Sequence, residues 1–372
     1  MNIKCKKSDL LNSINISLKA IPGKTTMQIL SFIAIVAENN KIDLVSNNLE
    51  LGIETSLEAE VIEPGKICVD AKMFSEIIRK LPSDEITMIV DDRNSDTEEI
   101  ASMQIKSGRA KFEISAMSTD EFVFLPNIQS DDNIQISQYD LRAIINQTEF
   151  SISDNENQKV MTGELFEVTE NQLRVISLDG NRISIRRLTL GNQYPSKKVI
   201  IPGKTLREIS KILSDKVDDN VDIYFSENHI IFKFESTTVL SRLIDGNYYD
   251  VDRMLSDDYK VKIKANKAEL TETIDRSMLL RRESDKKPIV FNIKDGKIEF
   301  NMKTSIGSMD EEMEVEKEGE DLRIGFNPKF MLDALKNIED EDVDIYFKSA
   351  KSPCFIKNDE KTYIYLILPI NF

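Results

Sequence analysis

A chain of 372 residues with 40% hydrophobic and 31% charged content is long enough for two or three globular domains. No apolar run approaches the roughly 18 residues of a membrane span, and three scattered cysteines, Cys5, Cys68 and Cys354, argue against a disulfide framework and fit a reducing cytoplasm. The net charge of −16, taken alone, argues against nucleic acid as a partner.

The opening MNIKCKKSDLLNSI has polar residues breaking any apolar stretch, so it does not read as a secretion signal. It predicts a short strand and then a helix over Ser8–Ala20, where Leu10, Leu11, Ile14 and Leu18 share one face. Alternation over Lys41–Ile53 predicts antiparallel strands with one buried face. A second helix follows at Ala71–Lys80, then a strand at Glu85–Val90. The order then returns. A helix is predicted over Tyr139–Phe150, alternating strands over Gln172–Ile185, a helix over Gly203–Leu213 and a strand over Val221–Phe225. It returns once more as Lys267–Arg282, Lys297–Met302, Pro328–Asn337 and Val343–Phe347. Pro-Gly, Ser-Gly and Asp-Gly pairs at Pro64, Ser107, Asp179, Asp245 and Asp295 punctuate the strands.

The second helix of each set carries one pattern: VDAKMFSEIIRKL at Val69–Leu81, IPGKTLREISKIL at Ile201–Leu213 and FNPKFMLDALKNI at Phe326–Ile338. Lys72, Lys204 and Lys329 coincide, as do Phe74, Leu206 and Met331. A period of roughly 130 residues is a domain rather than a solenoid turn. The chain therefore reads as three α+β units, 1–127, 128–256 and 257–372, each with two helices and roughly eight short strands. Boundaries fall in the polar stretches Pro126–Asp132 and Ser256–Tyr259. The six helical segments together carry net positive charge, while acid gathers elsewhere, as in Asp310–Asp321. A basic helical surface on an acidic body suits phosphates gripped without base reading.

Catalytic chemistry is not signalled. The single histidine, His229, sits at a predicted strand start with no evident partner. Pro22–Thr25 and Pro202–Thr205 both read PGKT, but a phosphate loop needs a glycine where Leu18 and Lys198 stand. The acidic pairs Asp91-Asp92 and Asp218-Asp219 read as solvated turns, and CxxC, HExxH and GxSxG do not occur. No enzyme activity, cofactor or metal site is expected.

Five ordered motifs resemble those of the bacterial DNA sliding clamps, the β subunits of DNA polymerase III. The opening Met1–Leu30, with Gly23-Lys24-Thr25-Thr26 and Ile29-Leu30, is similar to the family's first helix and following loop. Ser107–Phe112 is similar to its SGR-basic-Phe strand, and Asp179-Gly180-Asn181-Arg182 to its TDGHR turn. Asp245-Gly246 with Tyr248-Tyr249-Asp250 resembles DGxFPDY, and Tyr365–Ile370 the closing apolar-Pro-apolar segment. Leu178, Asn181 and Tyr249 depart from the family's Thr, His and Pro, and Gln28 from a Pro. Asp154–Val160 lacks the family's aromatic and basic character there.

The resemblance implies three tandem clamp domains and a head-to-tail homodimer closed as a six-domain ring, sliding on double-stranded DNA without sequence preference. DNA would meet Lys24 first, then Lys72, Arg79, Lys80, Arg142, Lys204, Arg207, Lys211, Arg276, Arg281, Arg282 and Lys329. The dimer seam would set Lys106, Arg109, Lys111, Phe112 and Ile114 against Leu279, Leu280, Asp310, Glu311, Glu312 and Glu314. A groove for peptides of the replicative polymerase, clamp loader and other clamp-binding-motif proteins would be lined by Met161, Leu178, Gly180, Asn181, Arg182, Ile183, Tyr249, Met254, Pro353, Leu366, Leu368, Pro369 and Ile370. A monomeric protein-binding scaffold is the alternative from another class.

Overall fold

The computed structural model describes residues 1–91, 100–126, 128, 133–281 and 287–372. Six α-helices are present among them: α1 (Lys7–Ser17), α2 (Ala71–Lys80), α3 (Gln138–Asn146), α4 (Gly203–Ser210), α5 (Lys267–Ser277) and α6 (Pro328–Leu335). The strands pair in antiparallel sheets, joined by turns and short 3-10 helices.

The helices repeat at atomic detail. The first residue of α1, α3 and α5 donates its backbone N–H to the loop beyond the second helix of its own set: Lys7 to Asp84 O (2.6 Å), Gln138 to Asp219 O (2.7 Å) and Lys267 to Glu341 O (2.9 Å). Their side chains reach the same neighbourhood, Lys7 Nζ to Leu81 O (2.6 Å), Gln138 Nε2 to Asn220 O (3.3 Å) and Lys267 Nζ to Ile338 O (2.8 Å). A free N–H at a helix start and a free carbonyl beyond a helix end thereby satisfy one another. Asp70, Asn266 and Asn327 cap α2, α5 and α6 through their side-chain oxygens. In α2 the buried residues Ala71, Phe74, Ser75 and Ile78 fall on one helical face, leaving Lys72, Arg79 and Lys80 exposed.

The chain gathers into two compact units, Met1–Tyr139 with Lys211–Leu243, and Asp140–Ser210 with Ile244–Phe372. This division cuts the middle repeat, and strand pairing explains why. In the first unit a 13-stranded sheet runs from Asn133–Ser137 to Glu60–Glu63. Thr237–Ser241 pairs there with Leu51–Thr55, so late strands of the middle repeat join those of the first. In the second unit Arg182–Arg186 pairs with Tyr363–Ile367 within a seven-stranded sheet, beside a separate four-stranded one.

The repeats hold nine, six and nine strands among the described residues, where roughly eight short ones were expected of each. The middle repeat departs because Gly163–Leu178 and Arg182–Pro202 are long strands. Their pairing continues past register shifts on either side of Glu170, whose φ of +54° absorbs the irregularity.

Candidate nucleic-acid and partner interfaces

Lys72, Lys204 and Lys329 are each the second residue of their helix, and all three are exposed. A cation in a first turn opposes the helix dipole. Its threefold recurrence therefore follows from something other than helix stability. Lys24 is exposed in the loop after α1, and Lys80 and Lys211 are exposed as well, whereas Arg142 and Arg281 are half-buried. Several of the cations expected at DNA have partners within the chain: Arg79 pairs with Glu76 (2.6 Å), Lys204 with Glu156 (3.3 Å) and Arg207 with Glu149 (3.8 Å). Arg276 departs most from expectation, because Glu311 takes its guanidinium, with Nε to Oε2 at 3.1 Å and a second bond from Nη2. Arg282 lies outside the described residues.

The groove residues all fall in the second unit. Met161, Leu178, Ile183 and Leu366 share one buried cluster with Tyr248, Val251, Tyr346 and Phe355. Ile183 and Leu366 are cross-strand partners, and Leu368 N–H donates to Asn181 O at 2.8 Å. Tyr249, Met254 and Leu368 are exposed apolar side chains, Asn181 is exposed, and Pro353, Pro369 and Ile370 are half-buried. At the turn, Asp179 Oδ1 accepts from Asn181 N–H (2.9 Å) and Arg182 N–H (3.2 Å). Gly180 adopts φ +86° there, a conformation that disfavours a side chain.

Arg182, expected in the lining, is turned inward. It is 8% exposed, donates to Asp179 Oδ2 (2.9 Å), Asp333 Oδ2 (2.6 Å) and Phe150 O, and lies over the Phe330 ring at 4.3 Å. It positions the turn and is unavailable to a ligand. Tyr248, Val251, Tyr346 and Phe355 were missed by sequence reasoning. Tyr248 adjoins the chosen Tyr249, but Tyr346 and Phe355 meet only through strand pairing.

The first unit repeats this geometry over a smaller apolar cluster of Phe32, Ala34, Val45, Cys68 and Phe122, against which Leu125 packs. Arg242 N–H donates to Glu50 O at 2.8 Å, Leu240 pairs with Gly52, and Leu49 takes φ +73°. Gly52 thus stands where Ile183 does, and Arg242 where Leu368 does. Leu125 Cδ2 sits 2.0 Å from where a Cβ at Gly52 would be, so the chain's own leucine fills the space.

Two of the open strand edges carry residues expected at the seam. Ala110–Met117 pairs along its length with Ile100–Ser107, but on the other side only Met117 pairs, with Cys68. Lys106, Arg109, Lys111 and Phe112 are exposed there, and none of the three cations holds an ion pair among the described residues. Ser308–Glu314 pairs only with Lys297–Lys303. Leu279, in the turn after α5, is 80% exposed, and Ile306, at the turn before Ser308, is 43% exposed. Leu280 is half-buried, its Cδ2 3.2 Å from a Cβ built on Gly307.

Ile114 belongs to the core rather than to this edge, because it packs among the buried residues of the first repeat. Glu311 and Glu312 are already paired, with Arg276 and with Lys297 (2.7 Å), while Glu314 is exposed. Sequence reasoning missed Ile306, whose signal was a lone apolar residue in a Thr-Ser-Ile-Gly turn.

Reactive groups are muted. Burial pushes the Cys5 and Cys68 thiols up to about 12. His229 begins the strand His229–Phe234, and burial together with Arg242 lowers its pKa. No helix among the described residues is long and apolar enough to cross a membrane.

Helix pairs repeated three times on antiparallel sheet, with a lysine in the first turn of each second helix, define a three-domain clamp. Models of the DNA polymerase III β subunit match the chain throughout: the N-terminal domain at residues 1–126, the central domain at 135–250 and the C-terminal domain at 252–371. The beta sliding clamp of Staphylococcus epidermidis is 34% identical over 381 residues, covering 100% of this chain and 99% of that protein. The structure of a putative DNA polymerase III β subunit from Eubacterium rectale superposes with a TM-score of 0.95 at 50% identity, covering 100% of both chains. The Bacillus subtilis sliding clamp gives 0.95 at 33% identity, covering 100% of this chain and 99% of that one. The chain belongs to the DNA polymerase III β subunit family, the beta sliding clamps, which are processivity factors and not enzymes.

Proposed function

We propose that two copies of this chain close head to tail into a ring around duplex DNA in the cytoplasm, slide along it, and tether the replicative polymerase, clamp loader and other clamp-binding-motif proteins through the groove. The observation that carries the reading is the pair of open strand edges. Ala110–Met117 carries exposed Lys111 and Phe112, with Lys106 and Arg109 beside it, none of these cations ion-paired among the described residues, while Ser308–Glu314 is acidic and adjoins exposed Leu279 and Ile306. An open edge invites pairing, and two different edges on one chain give a heterologous contact that ends only by closing a ring.

The exposed first-turn lysines supply phosphate contacts without base reading. Topological linkage replaces tight grip, which reconciles a DNA partner with a chain of net charge −16. Glu311 and Glu312 contribute to the seam through the field they share with their own cations, and Glu314 directly. The apolar floor, with Tyr249, Met254 and Leu368 at the rim, suits a short peptide with apolar anchors. Light scattering tests the assembly: a species of twice 42.5 kDa is expected, and a monomer at micromolar concentration excludes the ring.

A further inference from the structure

A cavity of about 740 Å³ opens on the second unit, away from the groove residues. Its apolar wall is Pro288, Val290, Met302 and the Phe372 ring, and three cations converge on it: Lys287, Lys303 and Arg323. None of the three holds an ion pair among the described residues, and Arg323 lies over the Phe372 ring at 5.0 Å. Asp310 is the one acidic side chain in the lining, and it accepts from Asn301 Nδ2 at 2.7 Å. In a chain with 65 acidic and 49 basic residues, three cations without an ion pair among the described residues, gathered around one apolar-walled cavity, form an anion-attracting site.

The C-terminal tail joins this cavity to the groove. Leu368 stands at the groove rim, Ile370 N–H donates to Gly325 O at 2.8 Å, and Asn371 and Phe372 line the cavity. The tail can lie this close only over glycine, since a Cβ at Gly325 would come 2.6 Å from Phe372 Cδ1 and 2.9 Å from Ile370 O. Phe372 lies four positions beyond Leu368, a span of at most roughly 14 Å for extended chain. A bound peptide a few residues longer than its apolar anchors can cover that distance.

We propose that the cavity is an acid-accepting extension of the groove, taking a carboxylate-bearing flank of a partner peptide. The proposal rests on the groove reading above. Calorimetry on the full-length protein would compare a core peptide (one glutamine and apolar anchors) with the same core extended by Glu-Glu-Phe-Glu or by Gln-Gln-Phe-Gln, at its N- or its C-terminus.

The expected result is that the acidic extension at one terminus binds roughly tenfold tighter than its neutral match at low salt, with the advantage shrinking as salt rises. Lys303→Ala with Lys287→Ala, both exposed and off the tail, should remove the advantage and leave core affinity unchanged. Lys216→Ala, outside the lining, should keep it. Equal affinities for acidic and neutral extensions at both termini would overturn the proposal alone, as would an advantage that survives the double variant. Failure of the core peptide itself to bind would overturn the groove reading and this proposal with it.

Discussion

Leu279→Ala separates assembly from folding. The side chain is 80% exposed in the single chain, so its loss should leave folding stability nearly unchanged. In the proposed ring, each seam would cover one Leu279. Replacing it with alanine removes three carbons from burial, worth about 2 kcal/mol per seam at ~0.8 kcal/mol per methylene. A ring has two seams, and dissociation to monomers opens both, so the loss is about 4 kcal/mol. At 1.4 kcal/mol per tenfold, the dimer dissociation constant should rise roughly a thousandfold. Sedimentation equilibrium reads that shift directly, and thermal melting at low concentration checks that the monomer still folds. Leu280→Ala makes the contrast, since this half-buried side chain packs beside Gly307 and its loss should also lower the monomer's melting temperature. A Leu279→Ala chain that dimerises as tightly as the parent would refute the seam.

Three further outcomes are expected. Glu164 is fully buried, with Oε1 accepting from Thr148 Oγ1 at 3.0 Å and Oε2 without a partner. Burial raises its carboxyl well above the ordinary value, Thr148 and Arg207 oppose the rise, and Glu149 adds to it. Above the unfolded value of about 4.5 the native chain keeps a proton that the unfolded chain releases, so stability should fall as pH rises through that window. Glu164→Gln should flatten the dependence and add about 1–3 kcal/mol at neutral pH; urea melts from pH 5 to 8 with an unchanged slope would reject this. Replacing Lys72, Lys204 and Lys329 together by alanine should weaken DNA association and reduce its logarithmic salt slope by roughly 0.9 for each phosphate no longer neutralised, and an unaltered slope would remove these lysines from the DNA surface. Deleting Leu368–Phe372 should abolish core-peptide binding in calorimetry while light scattering still reports a dimer, and retained affinity would place the groove elsewhere.

The helices and the threefold repeat were legible because each copy carries its own apolar face. The segment expected at Ser8–Ala20 is α1 followed by a 3-10 turn over Leu18–Ala20, and Ala71–Lys80 matches α2 residue for residue. Leu178 and Ile183, expected together beside a turn, do share a buried cluster, because the motif that names them also brings them together. Long-range pairing was not legible. Arg276 and Glu311 both stood out as available charges, yet each neutralises the other. Arg182 reads as a surface cation beside a turn until Asp333, far along the chain, is folded against it. Ile114 and Phe112 alternate correctly for one face of a strand, but only the fold decides that one is core and the other edge. The cut through the middle repeat likewise follows from Thr237–Ser241 pairing with Leu51–Thr55, a register that neither segment announces locally.

Retention on DNA tests the ring most directly. The protein, loaded on a nicked circle and passed through a sizing column, should remain with the circle at moderate salt and should leave once a single cut linearises it, because only topology holds it. Equal retention on circular and linear DNA, or release from both at the same salt, would contradict a closed ring around the duplex.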